Sequence, residues 1–363
     1  MSAAHTSSCS PTASKVPVFH IWPQELAQSV FPTLLEPYLP HSNPLYNRIL
    51  APANTPDRHC LFGATIPATR NPLSLLNSSA TANSAENLNA SGASFTLLFS
   101  DRSRHSESQI WVFNPLTAEP APLSAQQLAL LTAHSQSLVR FLRDTPVPAA
   151  PGWPFSPVLR LACVHEIMAA LLIEFAQAHH ALVRSTDWRL WSVSLVKLAS
   201  DTANVATSAQ AASSLPPRFT LGTVPPSQLD IVLATSTLVR QAVTLLKLPN
   251  CALLDSEEKL VAWAYVGIDG SIATLYVMPE YRGRGFATLV ARELLLGLGK
   301  GNFAVDVAQA ENGRVIRGYG GESGWVHSDV QAGNAGSEGV MRSLGGTTEW
   351  QSRYISVDTS KIV

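Results

Sequence analysis

Apolar and polar positions follow different rhythms in the two halves of this chain, and the second half is the more regular. Residues 250–254, 259–266 and 271–278 are short apolar runs rich in β-branched and aromatic side chains, a pattern that predicts three strands. Gly267-Ile268-Asp269-Gly270 separates the last two and supplies the turn chemistry of a hairpin. Helical spacing of apolar positions predicts one or two helices in 226–246, a helix over 286–298 and another over 334–344. Residues 325–330 and 349–357 read as strands, and 299–324 as a long loop. The predicted order is α-β-β-β-turn-α-loop-β-α-β.

The first half is less periodic. A short helix is predicted at 24–36, strands at 95–100 and 108–113, and a helix at 124–143 with Ser124 as its N-cap. Residues 157–183 are apolar on much of a helical circumference and predict one long buried helix. Residues 71–94 are rich in Ser, Asn and Ala and predict a flexible surface insertion.

Proline and glycine divide the chain: 23 of 25 prolines lie at or before Pro226, and 17 of 21 glycines lie at or after Gly267. Different punctuation predicts different modules, so the expected organisation is a disordered tail at 1–15, an α/β module at 16–201, a linker at 202–217 and a second domain at 218–363. A length of 363 residues agrees with two domains, and 46% apolar against 14% charged residues allows sizeable cores. Net charge is −1, which supplies no field for nucleic acid or an anionic membrane. Cys9, Cys60, Cys163 and Cys251 are scattered, with no CxxC, so neither a zinc knuckle nor a disulfide scaffold is expected. The polar start predicts no secretory signal, and the cytosol or nucleus is the expected compartment. His165-Glu166 lacks the second histidine of a zincin at Ala169, so no metal is expected.

One segment carries strong chemistry. Tyr276-Val277-Met278-Pro279-Glu280-Tyr281-Arg282-Gly283-Arg284-Gly285-Phe286-Ala287 ends a predicted strand and opens a predicted helix. The first N–H groups of a helix have no intrahelical acceptor and sit at the positive end of its dipole. With glycines removing side chains and two arginines beside them, the backbone here can hold a diphosphate. It is neither a Walker A loop nor a dinucleotide fingerprint. Gly297-Leu298-Gly299-Lys300-Gly301 lacks the hydroxyl residue of the first, and Phe286-Ala287-Thr288 breaks the spacing of the second.

The segment resembles the phosphate loop of the GNAT superfamily of acyl-CoA N-acyltransferases, Arg/Gln-x-x-Gly-x-Gly/Ala, which Arg282, Gly285 and Ala287 fill. A second block about 50 residues on, Asn334, Ser337, Val340, Leu344 and Gly345, fits the family's last helix. Leu39 to Tyr46 (LPHSNPLY), Cys251 to Asp255 (CALLD) and Trp263 resemble glycine N-acyltransferase-like proteins, which pair a degenerate GNAT-like half with an active one. The resemblance implies an α/β (α+β) fold: a GNAT domain with a mixed, mostly antiparallel sheet flanked by helices, behind an N-terminal α/β module that is a degenerate GNAT-like half.

It also implies acetyl-CoA as cosubstrate and a small-molecule or peptide amine as acceptor, with direct attack of the amine on the thioester. The pantetheine arm would add along Leu275, Tyr276, Val277 and Met278. The pyrophosphate would sit on Arg282, Gly283, Arg284, Gly285, Phe286 and Ala287, with Asn334 and Ser337 beside the cofactor. Where many members carry a tyrosine acid, seven residues after the Asn, this chain has Met341, which cannot protonate a thiolate. Tyr354 and Tyr276 are alternatives by residue type. Asp329 and His327 alternate along one predicted strand, face one side and are the candidate bases. The competing expectation is a GNAT-fold protein that binds acyl-CoA or a partner without turnover.

Overall fold

The computed structural model describes residues 16–55, 59–71, 94–102, 107–145, 157–207, 218–236, 240–309 and 313–363. The expected tail at 1–15 lies outside the described residues, as do most of the insertion expected at 71–94 and of the linker expected at 202–217.

In the first half β1 (His20–Trp22), α1 (Gln24–Leu35), α2 (Asn43–Leu50), β2 (Leu61–Ala64), β3 (Leu97–Ser100) and β4 (Ile110–Phe113) come first. They are followed by α3 (Ala125–Asp144), β5 (Val158–His165), α4 (Glu166–Ala178) and β6 (Leu182–Ser194). Helix α5 (Leu195–Thr207) leads on to β7 (Thr220–Gly222), α6 (Leu229–Thr235), α7 (Ala242–Leu245), β8 (Asn250–Leu254), β9 (Leu260–Val266) and β10 (Ile272–Val277). Then come α8 (Phe286–Gly299), β11 (Val305–Gln309), β12 (Gly313–Arg317), β13 (Trp325–Val330), α9 (Ala335–Ser343) and β14 (Thr347–Asp358). With α5 and the β11–β12 hairpin set aside, both halves run β-α-α-β-β-β-α-β-α-β. Among the described residues the two halves thus repeat one order of elements, as a GNAT-like half paired with a GNAT domain implies.

Two expectations need correction. The helix expected at 157–183 is β5 followed by α4. Strand β5 pairs on both sides, parallel with β4 at Ile110–Leu161 and antiparallel with β14, so it is a central strand. A strand buried on both faces reads as one apolar run, and its period cannot be told from that of a buried helix. The loop expected at 299–324 contains the β11–β12 hairpin. The expected cap is present: Ser124 caps α3 in a capping box with Gln127.

The sheets cross the expected domain boundary. The larger has the order β1-β2-β3-β4-β5-β14-β6-β13, so two strands from beyond residue 300 sit among those of the first half. Helices α1 and α2 cover one face, where Phe31, Leu45, Phe62, Phe99 and Trp350 form one core. Helices α3 and α4 cover the other, with Leu138, Leu172, Phe175, Leu161 and Val357. The smaller sheet has the order β10-β9-β8-β7, and its central β9 is buried along its whole length. Val290, Leu294 and Leu295 of α8 pack onto it. One parallel bridge, Ser271–His327, joins the two sheets through β10 and β13. No helix among the described residues is long and apolar enough to cross a membrane.

Candidate active site

Strands β10 and β13 start side by side and then part. At the Ser271–His327 bridge the Ser328 hydroxyl also donates to the Ile272 carbonyl (3.2 Å). Strand β10 then bulges between Ala273 and Tyr276, with Thr274 at φ +52°. The bulge turns β10 from its neighbour, and a cavity of about 320 Å³ fills the gap. Thr274, Leu275 and Tyr276 line one wall, and Asp329, Val330, Asn334, Ser337, Met341 and Tyr354 line the other.

Beyond Val277 and Met278 the chain turns into the glycine loop. Gly283 (φ +75°) and Gly285 (φ +76°) lie in the left-handed region that favours glycine. Gly285 is the N-cap of α8 and no side chain caps that end, so the first-turn N–H groups face outward. A Cβ placed on either glycine would meet nothing within 4 Å, so the space over the loop is open. Arg282 donates to the Val277 carbonyl (3.1 Å) and Arg284 to that of Glu280 (3.2 Å), which holds both cations beside the loop. Phe286 is buried against Phe219, so it offers a ligand its backbone only. Asn334 caps α9 by accepting from the Ser337 N–H (3.1 Å).

At the base of the cavity Asp329 is ringed by donors. Tyr354 donates to Oδ2 (2.7 Å), the Cys163 thiol donates to the same oxygen (2.9 Å), and Ser352 donates to Oδ1. Burial and then the Asp329 charge push the Tyr354 phenol well above its ordinary value, and the Cys163 thiol likewise. Both therefore keep their protons near neutrality. A metal ion can bridge donors this close, since Cys163, His327 and Asp329 offer ligand atoms within 4.8 Å of one another. The thiol is already committed as a donor to the carboxylate, which marks a hydrogen-bond network.

His327 lies behind this wall, wholly buried and away from the cavity lining. The Asn43 amide oxygen accepts from Asn47 (3.0 Å) and Ser323 (2.6 Å), which turns its nitrogen toward His327 Nδ1 at 3.3 Å. Nδ1 is then the acceptor, which leaves a ring proton on Nε2. Nε2 lies 3.7 Å from Asp269 Oδ2. Burial alone would raise the Asp269 carboxyl, but His327 and the Ser271 hydroxyl and N–H outweigh it and hold it below the usual carboxylate range.

The structure thus brings Asp329, Tyr354, Leu275, Tyr276, Asn334 and Ser337 to one cavity and sets the glycine loop beyond the end of β10. Sequence reasoning missed Cys163, Ser352, Asn43, Trp188 and Arg240. Cys163 and Asp329 are 166 residues apart and meet only because β13 and β14 enter the first half's sheet. No local motif signals that.

The family described as the acyl-CoA N-acyltransferase verG N-terminal domain matches residues 18–224. The chain belongs to the verG family of acyl-CoA N-acyltransferases. It is a GNAT-superfamily protein, and the family match falls on the half whose sequence resemblance was thinner. An X-ray structure of a Drosophila protein shares the verG-family chain's fold end to end. Its TM-score is 0.56 at 14% identity, over 94% of this chain and 98% of that one. A tandem GNAT protein from the clavulanic acid biosynthesis pathway covers the same shares at 12% identity and a TM-score of 0.44. A GCN5-related N-acetyltransferase from Sphaerobacter thermophilus is 13% identical over 77% of this chain and 87% of that one, with a TM-score of 0.36. No curated protein matches the chain.

Proposed function

We propose that this verG-family protein is an N-acetyltransferase that moves the acetyl group of acetyl-CoA to a primary amine by direct attack in a ternary complex. The observation that carries this reading is the gap between β10 and β13, leading to a glycine loop at the uncapped N-terminus of α8. Backbone N–H groups there suit the pyrophosphate, and Leu275 to Met278 suit the pantetheine arm.

Asp329 accepts a proton from the attacking amine. Tyr354 gives its proton to the departing thiolate and recovers one from Asp329 through their 2.7 Å contact. The products are an amide and CoA thiol, and the site returns to its starting protonation. Cys163 keeps its proton, which supports direct attack over an acyl-cysteine intermediate. His327 acts from behind the wall as a positioning residue. Near-neutral charge supports a small-molecule or peptide acceptor over nucleic acid or a membrane surface.

Met341, buried in the wall where many GNAT members carry a tyrosine acid, favours a second reading: binding of acyl-CoA without turnover. Calorimetric titration with acetyl-CoA, followed by a free-thiol assay over an amine panel, separates them. Saturable binding with thiol release is expected. Binding without release on any amine would support the second reading, and no binding by folded protein, with acetyl-CoA or longer acyl-CoAs, would end both.

A further inference from the structure

We propose that Cys163, His327 and Asp329 bind a thiophilic divalent cation of the zinc class, and that the bound ion silences the base at the foot of the β10–β13 cavity. The silencing rests on reading Asp329 as the base of acyl transfer, whereas the ion site stands on its ligands alone.

A thiol, an imidazole and a carboxylate converge here, each with a ligand atom within 4.8 Å of the others. Neighbouring ligands of a tetrahedral zinc stand roughly 3.3–3.8 Å apart, given bonds of about 2.0–2.3 Å. The set therefore closes on such an ion with small side-chain movements. Sulfur and nitrogen together select a zinc-like ion over magnesium or calcium, which take oxygen ligands.

A second observation points the same way. His327 is wholly buried, and its Nε2 has no hydrogen-bond partner among the described residues. Buried polar atoms nearly always have one. Nδ1 is engaged by Asn43, so Nε2 is the free ligand atom of the ring. It stands 3.7 Å from Asp269 Oδ2, too far for a hydrogen bond, and Asp269 is ionised near neutrality. After burial and the Asp329 charge, Asp269 is the next influence that keeps the Cys163 thiol protonated, so both carboxylates flank the same small volume. Among the described residues no lysine or arginine pairs with either carboxylate. A divalent cation neutralises both, and Asp269 or a water supplies its fourth ligand.

In the metal-free chain the thiol proton fills the 2.9 Å gap between Cys163 and Asp329. Binding exchanges that proton for the ion: the S–H bond breaks, a sulfur–metal bond forms and the proton leaves to solvent. The ring proton moves from Nε2 to Nδ1, where the Asn43 amide, turned over, accepts it. Asn47 turns as well, so that its Oδ1, buried without a partner, accepts from the Asn43 NH2. Asp329 lines the cavity, so the ion enters there. A carboxylate held by a cation takes no proton from an amine, and transfer stops until the ion is removed. No local spacing announces this site, since Cys163 and Asp329 lie 166 residues apart.

The test begins with the full chain, freed of metal by a chelator and titrated with cobalt(II), a coloured stand-in for zinc. A thiolate-to-cobalt charge-transfer band is expected, with the visible bands of a four-coordinate ion, saturating at one ion per chain and reversed by zinc. The band is expected to vanish in Cys163→Ser. It is expected to persist in a variant combining Cys9→Ser, Cys60→Ser and Cys251→Ser, where Cys163 is the only thiol. Asn43→Ala, which touches the ring but not the ion, is expected to weaken zinc binding about 10- to 100-fold. No thiolate band in the folded wild type, a band kept by Cys163→Ser, or a band lost from the variant that retains only Cys163 overturns the ion site. Should one of these variants not fold, the other decides.

Silencing is read as amide formation by mass spectrometry, as the ratio of rates with and without saturating zinc. The rate is expected to fall by about 10²- to 10⁴-fold, as loss of a general base does, and to recover with chelator. An unchanged rate in saturating zinc overturns the silencing. If no amine is acetylated, the acyl-transfer reading fails and the silencing with it, and the cobalt spectrum alone judges the ion site.

Discussion

Asp329 draws three protons from three side chains on two other strands, and its chemistry depends on that ring. Asp329→Asn is expected to lower turnover by about 10²- to 10⁴-fold while acetyl-CoA binding stays intact, as removal of a general base does. Thiol-release rates and calorimetry on the same preparation check both halves of that expectation. Elsewhere single residues set stability. Arg48 is wholly buried, ion-paired to Asp101 at 3.0 Å and stacked over Phe99 and Trp111. Asp101→Leu strands that charge and is expected to cost about 3–5 kcal/mol in denaturant unfolding.

His134 is buried and hydrogen-bonded to Thr96, and burial lowers its pKa from 6.5 to about 4; His165, packed on Trp350, is lowered to about 4 by burial and then by His41. Between those values the unfolded chain binds protons that the folded chain does not. Their stability is therefore fully present above pH 6.5 and lost as pH falls toward 4. The loss at His134 approaches roughly 3 kcal/mol, from about 1.4 kcal/mol per unit of pKa. Melting temperature against pH is expected to fall steeply in that window, and less steeply in a folded His134→Gln variant.

Two elements decide whether the site exists. The glycine loop needs left-handed φ at Gly283 and Gly285 and open space above both. Gly285→Ala adds strain alone, and Gly285→Trp adds strain and bulk where the pyrophosphate is proposed to lie. Acetyl-CoA affinity is expected to weaken modestly in the first and to vanish in the second, with both proteins folded by circular dichroism. Strand β14 is the other element, laddered between β5 and β6. It carries Ser352 and Tyr354, so its removal takes two of the three donors to Asp329 and opens the middle of the larger sheet. A chain ending at residue 346 is expected to be insoluble or to melt without cooperativity.

At the scale of the molecule the two halves repeat one order of elements but not one chemistry. After β10 the second half places Gly283 and Gly285 before a helix. After β4 the first half places Pro115, Pro120 and Pro122 and no glycine before α3, so N–H donors are missing where a phosphate would need them. One acetyl-CoA per chain is expected by calorimetry, and two would contradict this account.

By itself the sequence determined what depends on neighbours along the chain. The glycine loop, the β9–β10 hairpin, the Ser124 cap and the Asn334–Ser337 turn were legible because turn conformations and helix ends are local choices. Asp329 was legible from its place on a predicted strand, but the equal reading of His327 as a base was not sustained, because His327 is buried away from the cavity that Asp329 lines. Tertiary structure decided the rest. It made residues 158–165 a strand, since only pairing on both sides separates a buried strand from a buried helix. It also moved β13 and β14 into the first half's sheet, which set Cys163 and Ser352 on Asp329, put His327 behind the wall with Asn43, and aimed Arg240 into the cavity. These contacts join residues up to 284 positions apart. Such pairings are fixed by burial and strand register between distant segments, and no local pattern records them.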